Sequence, residues 1–246
     1  MRCSIKHYQR GFFAAASLLL TLALGGTSFA ATATGPALLL EKKQEEPFSY
    51  LSDSALAEAD QVFLVLPSQA ESQAKHRADF YWYSKTQNTW EFKTKTEATV
   101  GRNGISRDKK EGDGMTPSGT YGFLLAFGIK ENPDSLLPYH QVQHGDVWVD
   151  DRESSYYNRL INRTQTPTGW NSGEVLENYA PDYNYALALD YNSDCVPNKG
   201  SAIFLHCVVD YDRGSSGCIC IPEDIMKEIL QTATEKTRIV IIPSEA

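Results

Sequence analysis

The first strong signal along the chain is an apolar block rather than a period. Phe12 to Leu24 is an apolar stretch with Arg2, Lys6 and Arg10 before it and Ser28-Phe29-Ala30 after it. A basic start, an apolar run and a small-x-small ending form the pattern of a secretory leader, here residues 1–30. The run is shorter than the roughly 20 residues that span a bilayer comfortably. The expectation is cleavage after Ala30, export to the periplasm, cell wall or medium, and no integral membrane span after processing. An uncleaved N-terminal anchor is the alternative; no cysteine follows the run to carry a lipid. Residues 31–58 then read as a tether, small residues first and afterwards the charged run Glu41 to Glu46.

From Gln61 onward the hydrophobic positions come in short runs with strand character. Val62 to Leu66 is an apolar run stopped by Pro67. Phe80 to Tyr83 and Trp90 to Phe92 are aromatic-rich and flank Thr86-Gln87-Asn88, a hairpin pattern. Tyr121–Phe127, Val147–Val149, Tyr185–Leu189, Ile203–Leu205 and Ile239–Ile242 add further strands. One helix is clear. Pro222 can start it, Glu223 and Asp224 complement its positive end, and Ile225, Met226, Ile229 and Leu230 share a face. Asn132 to Tyr183 is polar and turn-rich, an irregular insertion of the kind used as a lid or binding loop. The predicted class is mainly β with a few helices (α+β), one domain over residues 59–246.

Charge narrows the partners. Without the leader, 23 − 3 = 20 basic residues face 31 acidic ones, a formal charge of −11. That balance argues against nucleic acid, whose affinity comes largely from Lys and Arg on phosphates, and against tight binding to anionic lipid.

Four cysteines remain after processing: Cys195, Cys207, Cys218 and Cys220. An even count in an exported chain suggests two disulfides, but their clustering beside His206 also allows a metal site, a redox pair or a nucleophilic thiol. Ile203-Phe204-Leu205 is a buried-strand pattern ending in His206, and a polar loop then delivers Ser215-Ser216-Gly217-Cys218. A glycine there lets the backbone approach a substrate, and nearby N–H groups can hold an oxyanion. Thiol plus imidazole is the minimal apparatus for cysteine-dependent acyl transfer. Strand alternation puts His206 and Cys207 on opposite faces and Cys218 and Cys220 on one face. His144, in the polar insertion without a preceding apolar strand, ranks far below His206 as a catalytic histidine.

This stretch resembles the L,D-transpeptidase catalytic domain (YkuD-like) family, in which a strand-end histidine precedes a loop and Ser/Thr-x-Gly-Cys. The separation of 218 − 206 = 12 suits the branch with a compact loop. Three more blocks follow the family in order: Gly101–Gly104 with Lys110–Tyr121; Trp148–Asp151 with Tyr157-Asn158; and Tyr185–Leu187 and Asp190–Asn192 leading to Gly200–His206. The resemblance implies a β-sandwich of mixed sheets with a catalytic cleft. It implies peptidoglycan stem peptides as substrate, carbapenem-type β-lactams as covalent inhibitors and no cofactor or metal. Cys218 is then the nucleophile, His206 its base, Gly217 and Cys218 the oxyanion donors, and Ser215 the group that orients the imidazole. Ser216, Gly114 and Pro117 are expected on the substrate side. Where many members carry arginine two residues after the nucleophile, this chain has Cys220. Two of Cys195, Cys207 and Cys220 are expected to pair, leaving Cys218 free.

Overall fold

The computed structural model describes residues 57–69, 74–166 and 169–243. The leader and nearly all of the tether lie outside the described residues. The element order is β1 (Gln61–Pro67), β2 (Arg77–Thr86), β3 (Thr89–Thr99), β4 (Ile105–Ser106), β5 (Thr116–Pro117), β6 (Gly119–Tyr121) and β7 (Phe123–Gly128). β8 (Tyr139–Gln141), β9 (Asp146–Val149), β10 (Leu160–Asn162), β11 (Gly173–Val175) and β12 (Ala186–Leu189) follow. The chain closes with β13 (Phe204–Cys207), β14 (Ile219–Ile221), helix α1 (Glu223–Thr232) and β15 (Arg238–Ile241). The few expected helices reduce, among the described residues, to α1 and one 3-10 turn at Leu176–Asn178.

The hairpin forms where the aromatic runs predicted it. Gln87 and Asn88 link β2 to β3, both with positive φ (49° and 65°), the left-handed pair that matches the twist of a two-residue hairpin. Helix α1 follows Pro222 and buries Met226, Ile229 and Leu230.

Ten strands make one mixed sheet in the order β6-β15-β1-β2-β3-β14-β13-β12-β7-β8. β6 and β7 are consecutive in sequence, separated only by Gly122, yet β6 forms one edge and β7 lies next to the other. The sheet must therefore curl until its ends approach. Phe63 on β1 duly meets Phe123 on β7, ring centroids 6.1 Å apart. Inside the curl a core gathers Phe63, Phe80, Leu187, Leu205, Ile219 and Ile239, with α1 packed against it through Met226 and Ile229.

The polar insertion is more ordered than its composition suggests. It folds β9, β10 and β11 into a second, three-stranded sheet, order β10-β9-β11. β10 and β11, three residues each, are too short to leave a readable alternation. A second apolar cluster lies on the other face of β12 and β13, where Ala186, Ala188 and Phe204 meet Phe127, Trp148 and Tyr183. Phe204 stacks edge-on to Trp148 at 4.9 Å and to Phe127 at 5.1 Å.

Candidate active site

β13 and β14 are parallel neighbours, with His206 beside Cys220 and Cys207 beside Ile221. Alternation does the sorting. Leu205 and Cys207 turn into the inner core, whereas Phe204 turns to the outer cluster that also holds Cys218. The His206 ring lies edge-on to Tyr183 of that outer cluster, centroids 5.0 Å apart. His206, Cys218 and Cys220 all line one open cavity of about 810 Å³.

The imidazole is held from both ends. Nδ1 contacts the Cys207 carbonyl at 2.9 Å, which fixes Nδ1 as the protonated nitrogen and leaves Nε2 as acceptor. Nε2 lies 3.5 Å from Cys220 Sγ. The Cys218 thiol donates to the Ala202 carbonyl at 3.2 Å. Burial alone would lower the His206 pKa, but the sulfurs of Cys220 and then Cys218 outweigh it and hold the value well above normal. Burial pushes the Cys218 thiol up, with His206 pulling it the other way.

The loop before Cys218 is braced by the Gly101–Tyr121 block. Arg102 N–H donates to Ser215 O (2.8 Å), and Ser215 N–H to Val100 O (2.9 Å). Thr116 Oγ1 accepts from Gly101 N–H and donates to Gly217 O, both at 2.8 Å. Gly217 has φ +153°, and a Cβ there would stand 2.9 Å from both Ile203 Cδ1 and Met115 O. Only glycine fits that turn.

Several expected roles shift. Ser215 does not touch the imidazole; its hydroxyl donates to Cys218 O (2.7 Å) and accepts from Gly217 N–H (3.0 Å). The orienting group is instead the Cys207 carbonyl, because the strand carries it past the ring. The Gly217 N–H is thereby occupied and is not an open oxyanion donor in this state. Ser216 lines the cavity and accepts from Arg102 Nη1 at 3.1 Å. Gly114 and Pro117 do not line it. Gly114 packs on the Arg102 side chain and Pro117 is buried in β5, so both act beneath the cleft. The expected cysteine pair is absent: all four thiols are free. Cys207 faces the inner core with its thiol on Tyr185 O, and Cys220 faces the cavity, so their side chains diverge. His144 lies outside the cavity, paired with Glu177 at 3.0 Å. Among the described residues no group of three or more His, Cys, Asp or Glu is placed to hold a metal ion.

Three groups at the site carry little sequence signal. One is the Cys207 carbonyl, since main-chain atoms have no residue signature. Asn158 belongs to a quoted block but without an assigned job. Its Oδ1 accepts from both Trp148 Nε1 (3.0 Å) and Ala202 N–H (3.1 Å), which fixes the residue whose carbonyl holds the Cys218 thiol. The third, Glu174 on β11, lines the cavity and accepts from Tyr183 Oη at 2.5 Å. Burial, first among the causes, raises its pKa to about 7.

Comparison with solved structures gives distant likenesses. A structure of Bdellovibrio bacteriovorus Bd1075 is 18% identical over 76% of this chain and 49% of its own, with a TM-score of 0.40. An avibactam carbamoyl form of the enzyme Ldtfm is 14% identical, covering 76% and 50%, TM-score 0.37. A cysteine-to-serine mutant of Enterococcus faecium L,D-transpeptidase is 13% identical, covering 74% and 50%, TM-score 0.35. The chain thus spans about half the length of these proteins. Comparison with curated proteins finds no match. The profile of the YkuD family, described as the L,D-transpeptidase catalytic domain, matches residues 72–241, which includes every strand of the curled sheet from β2 to β15. The chain belongs to the L,D-transpeptidase catalytic domain family.

Proposed function

We propose that the protein is an exported cysteine acyltransferase of peptidoglycan, an L,D-transpeptidase working on stem peptides that end in D-alanine. The observation that carries this reading is one cavity shared by the Cys218 thiol and a His206 ring whose Nδ1 is tied to a main-chain carbonyl. The leader-like residues 1–30 support export.

The Cys218 thiol turns from Ala202 O to His206, gives up its proton to Nε2, and attacks the carbonyl preceding D-alanine. The Cys218 N–H is the nearest main-chain donor for the oxyanion. Collapse breaks the peptide bond, the departing amine takes the proton from His206, and a Cys218 thioester remains. An amine from a second stem then attacks, loses its extra proton and expels the thiol, which closes a cross-link. Water in the amine's place would release the shortened peptide instead, a carboxypeptidase outcome.

The test is covalent labelling. A carbapenem is expected to add once per protein molecule, with the adduct seen by intact mass and lost in Cys218→Ala. An adduct that persists in Cys218→Ala and disappears in Cys220→Ala would transfer the nucleophile's role to Cys220, whose sulfur lies 3.5 Å from His206 Nε2.

A further inference from the structure

Glu174 is an acid of the catalytic cavity that the acyl-transfer steps leave without a job. It sits at the centre of β11, opposite Trp148 on β9 in an antiparallel register, so its backbone is fixed by the second sheet. Its side chain reaches the cavity that holds Cys218 and His206. One carboxylate oxygen accepts from Tyr183 Oη, and the Tyr183 ring lies edge-on to the His206 ring. Among the described residues the other oxygen accepts no hydrogen bond and no salt bridge forms on this carboxylate, although His206 draws it electrostatically. Both signs of charge line this cavity: Asp150, Asp182, Asp210 and Asp212 among the acids, Arg102, Lys109 and Arg213 among the bases.

A partly buried carboxylate with an unused oxygen is costly unless something cationic meets it. The second substrate of an amine-resolved thioester is such a cation, an alkylammonium at neutral pH. It must be held near the thioester and must shed one proton before its nitrogen can attack. We propose that Glu174 is the acceptor-side residue of this enzyme: it binds the ammonium group of the incoming stem peptide through its free oxygen and takes one proton from it. This inference rests on the acyl-transfer reading of the site. The balance closes as follows. The ammonium gives a proton to Glu174, and the neutral amine forms a C–N bond to the thioester carbonyl. His206 takes the second nitrogen-bound proton as the C–S bond breaks and returns it to the Cys218 thiolate, while Glu174 releases its proton to solvent. The pKa of about 7, raised first by burial, suits a group that exchanges protons with an amine near neutrality.

A tetrapeptide stem ending in D-alanine serves as donor and Nα-acetyl-lysine amide as acceptor. Transfer and hydrolysis products are separated by mass, and acylation by a carbapenem is followed in parallel. Glu174→Gln keeps the shape and the Tyr183 hydrogen bond but loses the charge. It is expected to lower transfer at least tenfold, mainly through the acceptor KM, while acylation changes less than threefold and hydrolysis gains a larger share of product. Glu174→Asp is expected to recover part of the transfer. Acylation falling in step with transfer would reduce Glu174 to a support for Tyr183 and His206 and overturn the acceptor role, as would transfer unchanged in Glu174→Gln. A wild-type protein that forms no Cys218 adduct at all would instead overturn the acyl-transfer reading, and this inference with it.

Discussion

His206 meets Cys220 because parallel pairing sets the two residues side by side on β13 and β14. A sulfur thus stands beside the imidazole, and it is the leading influence raising the His206 pKa against burial. Removing it leaves Cys218 alone to oppose burial. In Cys220→Ala the His206 pKa is expected to fall, so the acid limb of the acylation profile, below which Nε2 is already protonated and cannot take the thiol proton, moves to lower pH. Carbapenem adduct rates measured across pH check this, and an unmoved limb would count against the coupling. Glu174 titrates in the opposite sense. Its pKa is raised from 4.5 to about 7, first by burial, so the folded state holds a proton that the unfolded state has lost between those values. Its stabilisation is full below about pH 4.5, falls as pH rises toward 7 and stays lost above that. Glu174→Gln should therefore raise Tm at pH 8 by the equivalent of at most about 3 kcal/mol and leave Tm at pH 4 unchanged. A Tm difference independent of pH would contradict the assignment.

At the scale of elements, Thr116 joins β5 to the turn that presents Cys218. It is fully buried, and its hydroxyl serves Gly101 N–H on one side and Gly217 O on the other. Thr116→Val keeps the shape but strands both main-chain groups, each costing about 1–3 kcal/mol. The expected result is a lower denaturation midpoint together with slower adduct formation, because the Gly217 turn loses its anchor; a variant as stable and as fast as wild type would remove Thr116 from the support of the site. The same comparison marks how far the sequence could be read. Short apolar runs at Ile203–Leu205 and Tyr185–Leu189 located β13 and β12, and the alternation of a strand separated His206 from Cys207. What stayed hidden were contacts made across the chain by groups without a pattern of their own. Ser215 looked like a partner of His206 by position, yet its hydroxyl turns inward to Gly217 N–H and Cys218 O. Glu174 sits on a three-residue strand between polar loops, too short for any period to register.

For the whole molecule the decisive feature is the step from β6 to β7 through Gly122, which carries the chain from one edge of the ten-stranded sheet almost to the other. Curling brings Phe63 of β1 against Phe123 of β7 at 6.1 Å, so both flanks of the sheet share one core. The inner faces of β13 and β14 belong to it through Leu205 and Ile219, while Phe204 and Cys218 belong to the outer cluster. Damage far from the cavity should then reach it through the sheet. Phe63 is fully buried, and Phe63→Ala should cost about 3–5 kcal/mol. If the curl is one cooperative unit, near-UV circular dichroism and carbapenem acylation should be lost in a single transition on heating, shifted to lower temperature in the variant but still coincident. Acylation that outlasts the aromatic signal would mean that β12, β13 and β14 with the second sheet hold the site without the β15-β1-β2 flank. Coincidence would mean that the strand register placing His206 beside Cys220 is set by the closure of the whole sheet.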